Sequence, residues 1–254
     1  RPDAEISIRH EAPEALRAAI VSIAYQCGFA PSELRLVLCG ILYKTPDKSN
    51  WSEYPNIADE VGDLMDELEW FEVYDFLEFI ANNYERYNFK DQFLDVCNNA
   101  FEKELSAYRF VGSVISRVTE KEEVEEIEQA LVEAAGPVRT HMQRSLELLS
   151  NRETPDYRNS IKEAISAVEC LAAKATQNDK GTLGQLIKEL EGKIGLHPAL
   201  KIAFSSLYGY TSDEGGIRHA LMDAESVKFE DAKFFLVVCS AFVNYINAKL
   251  PADS

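Results

Sequence analysis

Apolar residues recur at three- and four-residue spacing along nearly the whole chain, and that period commits most of it to amphipathic helices. Glu14 to Gln26 places Leu16, Ile20, Ile23 and Ala24 on one stripe. Cys27-Gly28 closes that segment. Pro31, just inside PSELRLVLCGILY, marks the next start, because the first helical position has no intrahelical bond for proline to break. Thr45 to Asn56 (TPDKSNWSEYPN) is rich in turn formers and reads as a loop. From Ile57 to about Tyr84 the pattern is helical again, with dense carboxylates. Phe89 to Leu105 follows, with Phe93, Val96, Cys97 and Phe101 as its apolar positions.

The period changes once. Ala107 to Thr119 (AYRFVGSVISRVT) is rich in β-branched and aromatic residues around Gly112-Ser113. Glycine at the first central position suits a type II′ turn, so a β-hairpin is predicted near 107–118. Thr119 then reads as an N-cap, with Glu122 three residues on, opening the acidic helix EKEEVEEIEQALVEAA. Val124, Ile127 and Leu131 give this helix a narrow apolar stripe, and its carboxylates read as a solvated face. Gly136-Pro137 is a helix stop followed by a helix start, and the domain division is placed there, giving 1–135 and 136–254.

Beyond it, Val138 to Leu149 forms a linking helix. Asp156 caps YRNSIKEAISAVECLAAKAT, in which Ile161, Ile165, Val168 and Ala172 form a buried face. Thr182 to Leu190 and a segment from Pro198 are further helices. The last helix, Glu230 to Leu250, is apolar on nearly all sides and belongs at the centre of the second domain. The fold class is therefore mainly α: a helical N-terminal domain with a small β-hairpin, then a helical bundle.

Charge is unevenly divided by that boundary. Residues 1–135 hold 12 Lys and Arg against 28 Asp and Glu, a net of −16, while residues 136–254 come to −1. A surface so acidic repels phosphate backbones; it reads as a well-solvated acidic surface or as a dock for a basic protein partner. The second half can accept an anion locally. Cys27, Cys39, Cys97, Cys170 and Cys239 are scattered through apolar stretches with no CxxC or Cys/His cluster. That spacing predicts reduced core thiols in a cytoplasmic protein, with no metal site and no cofactor. No apolar run is long enough to span a bilayer, and RPDAEISIRHE lacks the shape of a signal peptide, so no membrane role is expected.

One polar segment can carry chemistry. Residues 208–225 (YGYTSDEGGIRHALMDAE) crowd two tyrosines, two glycines, Arg218, His219 and several carboxylates into one connection between apolar helices. A second group lies on the helix after Asp156. Arg158, Lys162, Ile165 and Glu169 fall on one flank, and Asn159, Glu163 and Ser166 on the adjoining one. Ordinary side-chain pairing accounts for that flank as well. His10, His141 and His197 carry no comparable signal, and no Ser/His/Asp order, phosphate-cradling loop or HExxH spacing is present.

Several of these strings are distinctive at full length. DYRNSIKEAISAVE, TLGQLIKELE, HPALKIAFSSLYGYTSDEGGIRHALMD and AKFFLVVCSAFVNYI resemble the C-terminal domain of bacterial abortive-infection proteins of the AbiJ type. VYDFLEFIANNYE and AYRFVGSVISRVTEKEEVEEIEQAL are similar to an N-terminal domain found with it. The resemblance implies a HEPN-like helical bundle for 136–254, which often dimerises. Many such proteins are metal-independent ribonucleases in phage defence. Their signature is an Arg followed, after four to six residues, by a His that assists attack by the ribose 2′-hydroxyl. His219 stands at the motif position, but Ser212, Asp213 and Glu214 stand where the Arg is expected.

Two readings follow. In the first the chain is an RNA-cleaving defence effector and a homodimer through its C-terminal domain. His219 is the acid/base, Arg218 or Arg158 clamps phosphate, and Tyr210 or Asp213 positions it, with Asn159 and Glu169 in support. In the second, catalysis has been lost and the domain binds a partner protein or a nucleotide.

Overall fold

The structure, a computed structural model, describes residues 8–84, 89–134, 136–212 and 227–250. Eleven α-helices and one two-stranded hairpin are found among them, the mainly α fold that the period demands. The chain divides into two compact units, 1–119 and 120–254.

In the first unit α1 (Glu14–Gln26) buries Leu16, Ile20, Ile23 and Ala24, the stripe read from the sequence. It packs on α3 (Ala58–Glu67) and α5 (Phe89–Lys103), while α2 (Pro31–Ile41) packs on α3 and α4 (Trp70–Asn83). The helical run predicted over Ile57–Tyr84 is broken between α3 and α4. Leu68 turns extended with ψ 140° and buries its side chain, and the Glu69 N–H donates to the Glu72 carboxylate (2.8 Å) to open α4. Core burial of Leu68 outweighs one continuous helix. Within α4, the buried Tyr74 hydroxyl bonds the Ser106 hydroxyl (2.9 Å) and the Glu11 carbonyl (3.3 Å). Its ring lies 4.5 Å from that of Tyr108.

The hairpin forms where it was predicted. β1 (Arg109–Val111) and β2 (Val114–Ser116) pair antiparallel with Phe110 opposite Ile115. Gly112 has φ 56° and Ser113 has no positive φ, which is the type II′ requirement. Two strands this short leave their outer backbone groups unpaired. Helix side chains satisfy them instead. Asn98 accepts from the Phe110 N–H (2.8 Å) and donates to its carbonyl (3.4 Å), and Glu78 accepts from the Ile115 N–H (2.5 Å).

The second unit begins with α6 (Lys121–Glu133), whose N-cap is Glu120 with no side-chain cap bond. The predicted Thr119/Glu122 capping box does not form, and the helix starts later. Ile127 and Ala130 are buried, while Val124 and Leu131 are only half-buried. The partner of α6 is α11 (Phe229–Lys249). Lys233 pairs with Glu123 (2.7 Å), and the Asn244 amide donates to the Glu126 carbonyl and carboxylate (2.9 and 2.8 Å). Part of the acidic face is thus engaged rather than solvated. The sequence division at 135 separates α6 from the unit in which it packs. With α6 counted there, residues 1–119 hold 11 Lys and Arg against 21 Asp and Glu, and residues 120–254 hold 15 against 22. The net charges become −10 and −7, so most of the predicted asymmetry belonged to one helix.

α7 (Pro137–Ser150) and α8 (Tyr157–Thr176) form an antiparallel pair. At their crossing the Ser145 hydroxyl donates to the Ser160 carbonyl and the Ser160 hydroxyl to the Ser145 carbonyl, both at 2.8 Å. Small side chains let the backbones approach, and both hydroxyls are buried and satisfied. α9 (Leu183–Ile194) packs on α8, and α10 (Pro198–Ser212) packs on α9. α11 touches α6, α7 and α8 and buries Phe235, Leu236, Cys239, Phe242, Val243 and Ile246. It is central, as predicted, but not enclosed: Phe234 and Ala241 are exposed.

Candidate functional site

The predicted constellation has one part on α8 and one in the polar segment before α11. Asp156 caps α8 as the sequence implied. One carboxylate oxygen accepts from the Asn159 N–H (3.0 Å) and the other from its side-chain amide (2.7 Å). Asn159 is therefore occupied in the cap. Tyr157 meets Phe229 edge-on at 6.2 Å, which sets the first turn of α8 beside the start of α11. Arg158 is half-buried in that turn. Glu169 is on the same helix three turns further on, about 16 Å along the axis, so Arg158 and Glu169 do not meet. Ile165 between them is buried and Lys162 is exposed. Tyr210 is in the last turn of α10, with its side chain outside the described residues. Asp213, Arg218 and His219 lie outside the described residues altogether.

Two further features were passed over in the sequence. His141 Nδ1 lies 2.6 Å from a Glu163 carboxylate oxygen, bridging α7 and α8 on the side of the Ser145/Ser160 crossing nearer the start of α7. The residues are 22 positions apart, so only the register of the helix pair reveals them. The other is a shallow groove of about 350 Å³ between α9 and α10, lined by Gly184, Lys188, Lys201, Ile202, Ser205 and Ser206. Lys201 is paired with Glu191 (2.6 Å), whereas no ion-pair partner of Lys188 is seen among the described residues. Two ammonium groups and two hydroxyls around a concavity can receive an anion such as a phosphate. Ser206 stands one helical turn before Tyr210 in α10.

Among the described residues no three His, Cys, Asp or Glu side chains gather as metal ligands, and no described helix is long and apolar enough to cross a membrane. All five cysteines are free thiols; Cys39, Cys97 and Cys239 are buried.

Comparison with curated proteins and with solved structures gives no match. A family model, AbiJ N-terminal domain 4, matches residues 1–133. The matched span includes the whole first unit and α6, the helix that packs within the second. It covers just over half of the chain and contains both strings read as similar to an AbiJ-type N-terminal domain. The chain belongs to the AbiJ N-terminal domain 4 family, whose association is with abortive infection.

Proposed function

We propose that this chain is an antiphage protein of the abortive-infection type whose second unit is a HEPN-like bundle that cuts RNA without a metal ion. His219 takes the proton from a ribose 2′-hydroxyl as its oxygen attacks the adjoining phosphorus, and later returns a proton to the departing 5′-oxygen. The guanidinium of Arg218 or Arg158 offsets the charge that develops on the phosphate. Tyr210 or Asp213 positions the strand. The observation that carries this reading is family membership over residues 1–133, joined to the HEPN-like strings of the second half. Arg158 adds support, since it sits in the turn beside the start of α11. The Lys188/Lys201 groove adds a place for a second phosphate. Leu200, Ile202 and Phe234, exposed on α10 and α11, suit a second copy of the bundle. The first unit, at −10, acts as the protein-docking part.

His219→Ala is expected to lower RNA cleavage by about a hundredfold or more and to abolish protection of infected cells. Arg158→Ala is expected to lower cleavage without unfolding the chain, and sedimentation of the wild-type chain to give a dimer. Intact tRNA and mRNA after incubation with triggered wild-type protein would sink the nuclease reading. A second reading is favoured by one observation: Ser212, Asp213 and Glu214 occupy the place of the motif arginine. In it the second unit is a binding module, and His219→Ala protects cells as well as wild type does.

A further inference from the structure

Among the described residues of the first unit, the four most exposed large apolar side chains lie in one stretch of the chain, with Phe79 and Leu105 less exposed elsewhere. Leu36, Tyr43, Trp51 and Tyr54 all lie on α2 or on the connection that follows it, and Trp51 is 84% exposed and Tyr43 98%. The connection is not slack. The Arg35 guanidinium, mostly buried, donates to the carbonyls of Asn50 (2.9 Å) and Asp47 (3.4 Å) and pairs with Glu60 (3.1 Å). Glu60 also accepts from the Asn50 amide (2.7 Å), and the Asp47 carboxylate accepts from the Ser49 N–H and hydroxyl (2.8 and 2.7 Å). Further on, Glu53 accepts from the Ser32 N–H at the start of α2 (3.0 Å). Trp51 stands between these two anchors, Asn50 tied to Arg35 and Glu53 tied to Ser32. Its backbone is therefore held beside the first turns of α2, with the indole in solvent.

The outer face of α2 continues this surface. Ser32, Leu36 and Gly40 succeed one another at helical spacing over about 12 Å, and Tyr43, with φ 52°, follows just past the end of the helix. At Gly40 the space where a side chain would stand is open, leaving a low point between two exposed apolar residues. Holding an indole in water forgoes roughly 25 cal/mol per Å² of apolar surface. A loop that spends a half-buried ion pair on keeping it there gives a pre-organised anchor, of the residue types that dominate binding energy at interfaces.

Charge decides the occupant. Residues 42–69 hold two lysines against eight Asp and Glu, and Lys44 is already paired with Glu67. Tyr54 meets Tyr25 edge-on at 6.3 Å. Burial above all, with smaller contributions from Tyr54, Glu53 and Asp59, pushes the Tyr25 phenol up to about 12. Aromatic faces set among carboxylates match a guanidinium, which stacks flat on a ring and bonds a carboxylate through two N–H groups at once. We propose that Trp51, Leu36 and Tyr43, with Tyr54 beside them, form a docking surface for an arginine-bearing basic segment of a partner protein. The inference rests on the reading of the first unit as a docking part and is independent of RNA cleavage.

The experiment titrates the full chain, at physiological salt, with a twelve-residue peptide alternating arginine and glycine, following tryptophan emission and heat. The expected result is a blue shift in the wild type and at least tenfold weaker binding by Trp51→Ala, whose fold is unchanged because the side chain is solvated. The same peptide with lysine for arginine is expected to bind several-fold more weakly. Equal binding by Trp51→Ala, equal binding of the lysine peptide, or no binding at all overturns the proposal. So does a wild-type dimer that Trp51→Ala converts to monomer, which would make a second copy the occupant. A wild-type chain that cuts no RNA but binds the arginine peptide through Trp51 leaves this inference standing while the nuclease reading falls.

Discussion

Burial pushes the Cys239 thiol up to about 12 and raises those of Cys27, Cys39, Cys97 and Cys170 in the same direction. A buried thiolate has no solvent to stabilise it, so reactivity follows exposure. With a thiol reagent at pH 8, Cys27 and Cys170, the two half-buried thiols, are expected to react slowly in the native chain. Cys39, Cys97 and Cys239 are expected to react only after denaturation. Three or more thiols reacting at once in the native protein would contradict the described core. The same shifts set an alkaline limit. Because the folded pKa of Cys239 lies above its ordinary value, its stabilising contribution is complete below the usual thiol range and is lost as the pH rises through about 12. The Tyr25 phenol, also raised to about 12, acts with the same sign.

At the scale of elements, the hairpin shows how two three-residue strands persist without a sheet. Asn98 supplies, from α5, the donor and acceptor that a third strand would offer to Phe110. Asn98→Ala removes both and leaves a backbone N–H and a carbonyl of a buried residue without partners, at a cost of about 1–3 kcal/mol. Urea denaturation measures this, and a change below about 0.5 kcal/mol would mean that water replaces the amide. The α7–α8 crossing uses the same logic with smaller groups, since each serine hydroxyl serves the other helix's carbonyl.

For the whole molecule, the allegiance of α6 is the decisive fact. Its bonds to Lys233 and Asn244 join residues 110 and 118 positions apart. A fragment of residues 120–254 is expected to melt cooperatively. A fragment of 136–254 lacks the helix that covers α11 and loses about 3 kcal/mol or more, from unburied Ile127 and the missing bonds to Asn244. Circular dichroism melting of the two fragments checks this, and equal stability would return α6 to the first unit.

Local chemistry was legible in one dimension. The stripe of α1, the Pro31 start, the Gly112-Ser113 turn and the Asp156 cap each depend on residues within a few positions of one another, so propensity and spacing determine them. The Leu68 break, the Asn98 edge, the His141–Glu163 pair and the Arg35–Glu60 clasp that presents Trp51 were not legible. Nor was the contact of Tyr157 with Phe229 that sets the first turn of α8 beside the start of α11. Each of these sets groups side by side that the sequence holds far apart or leaves unmarked, and packing alone chooses which surfaces meet. Periodicity states that a helix has a buried face; only the tertiary structure decides what that face is buried against.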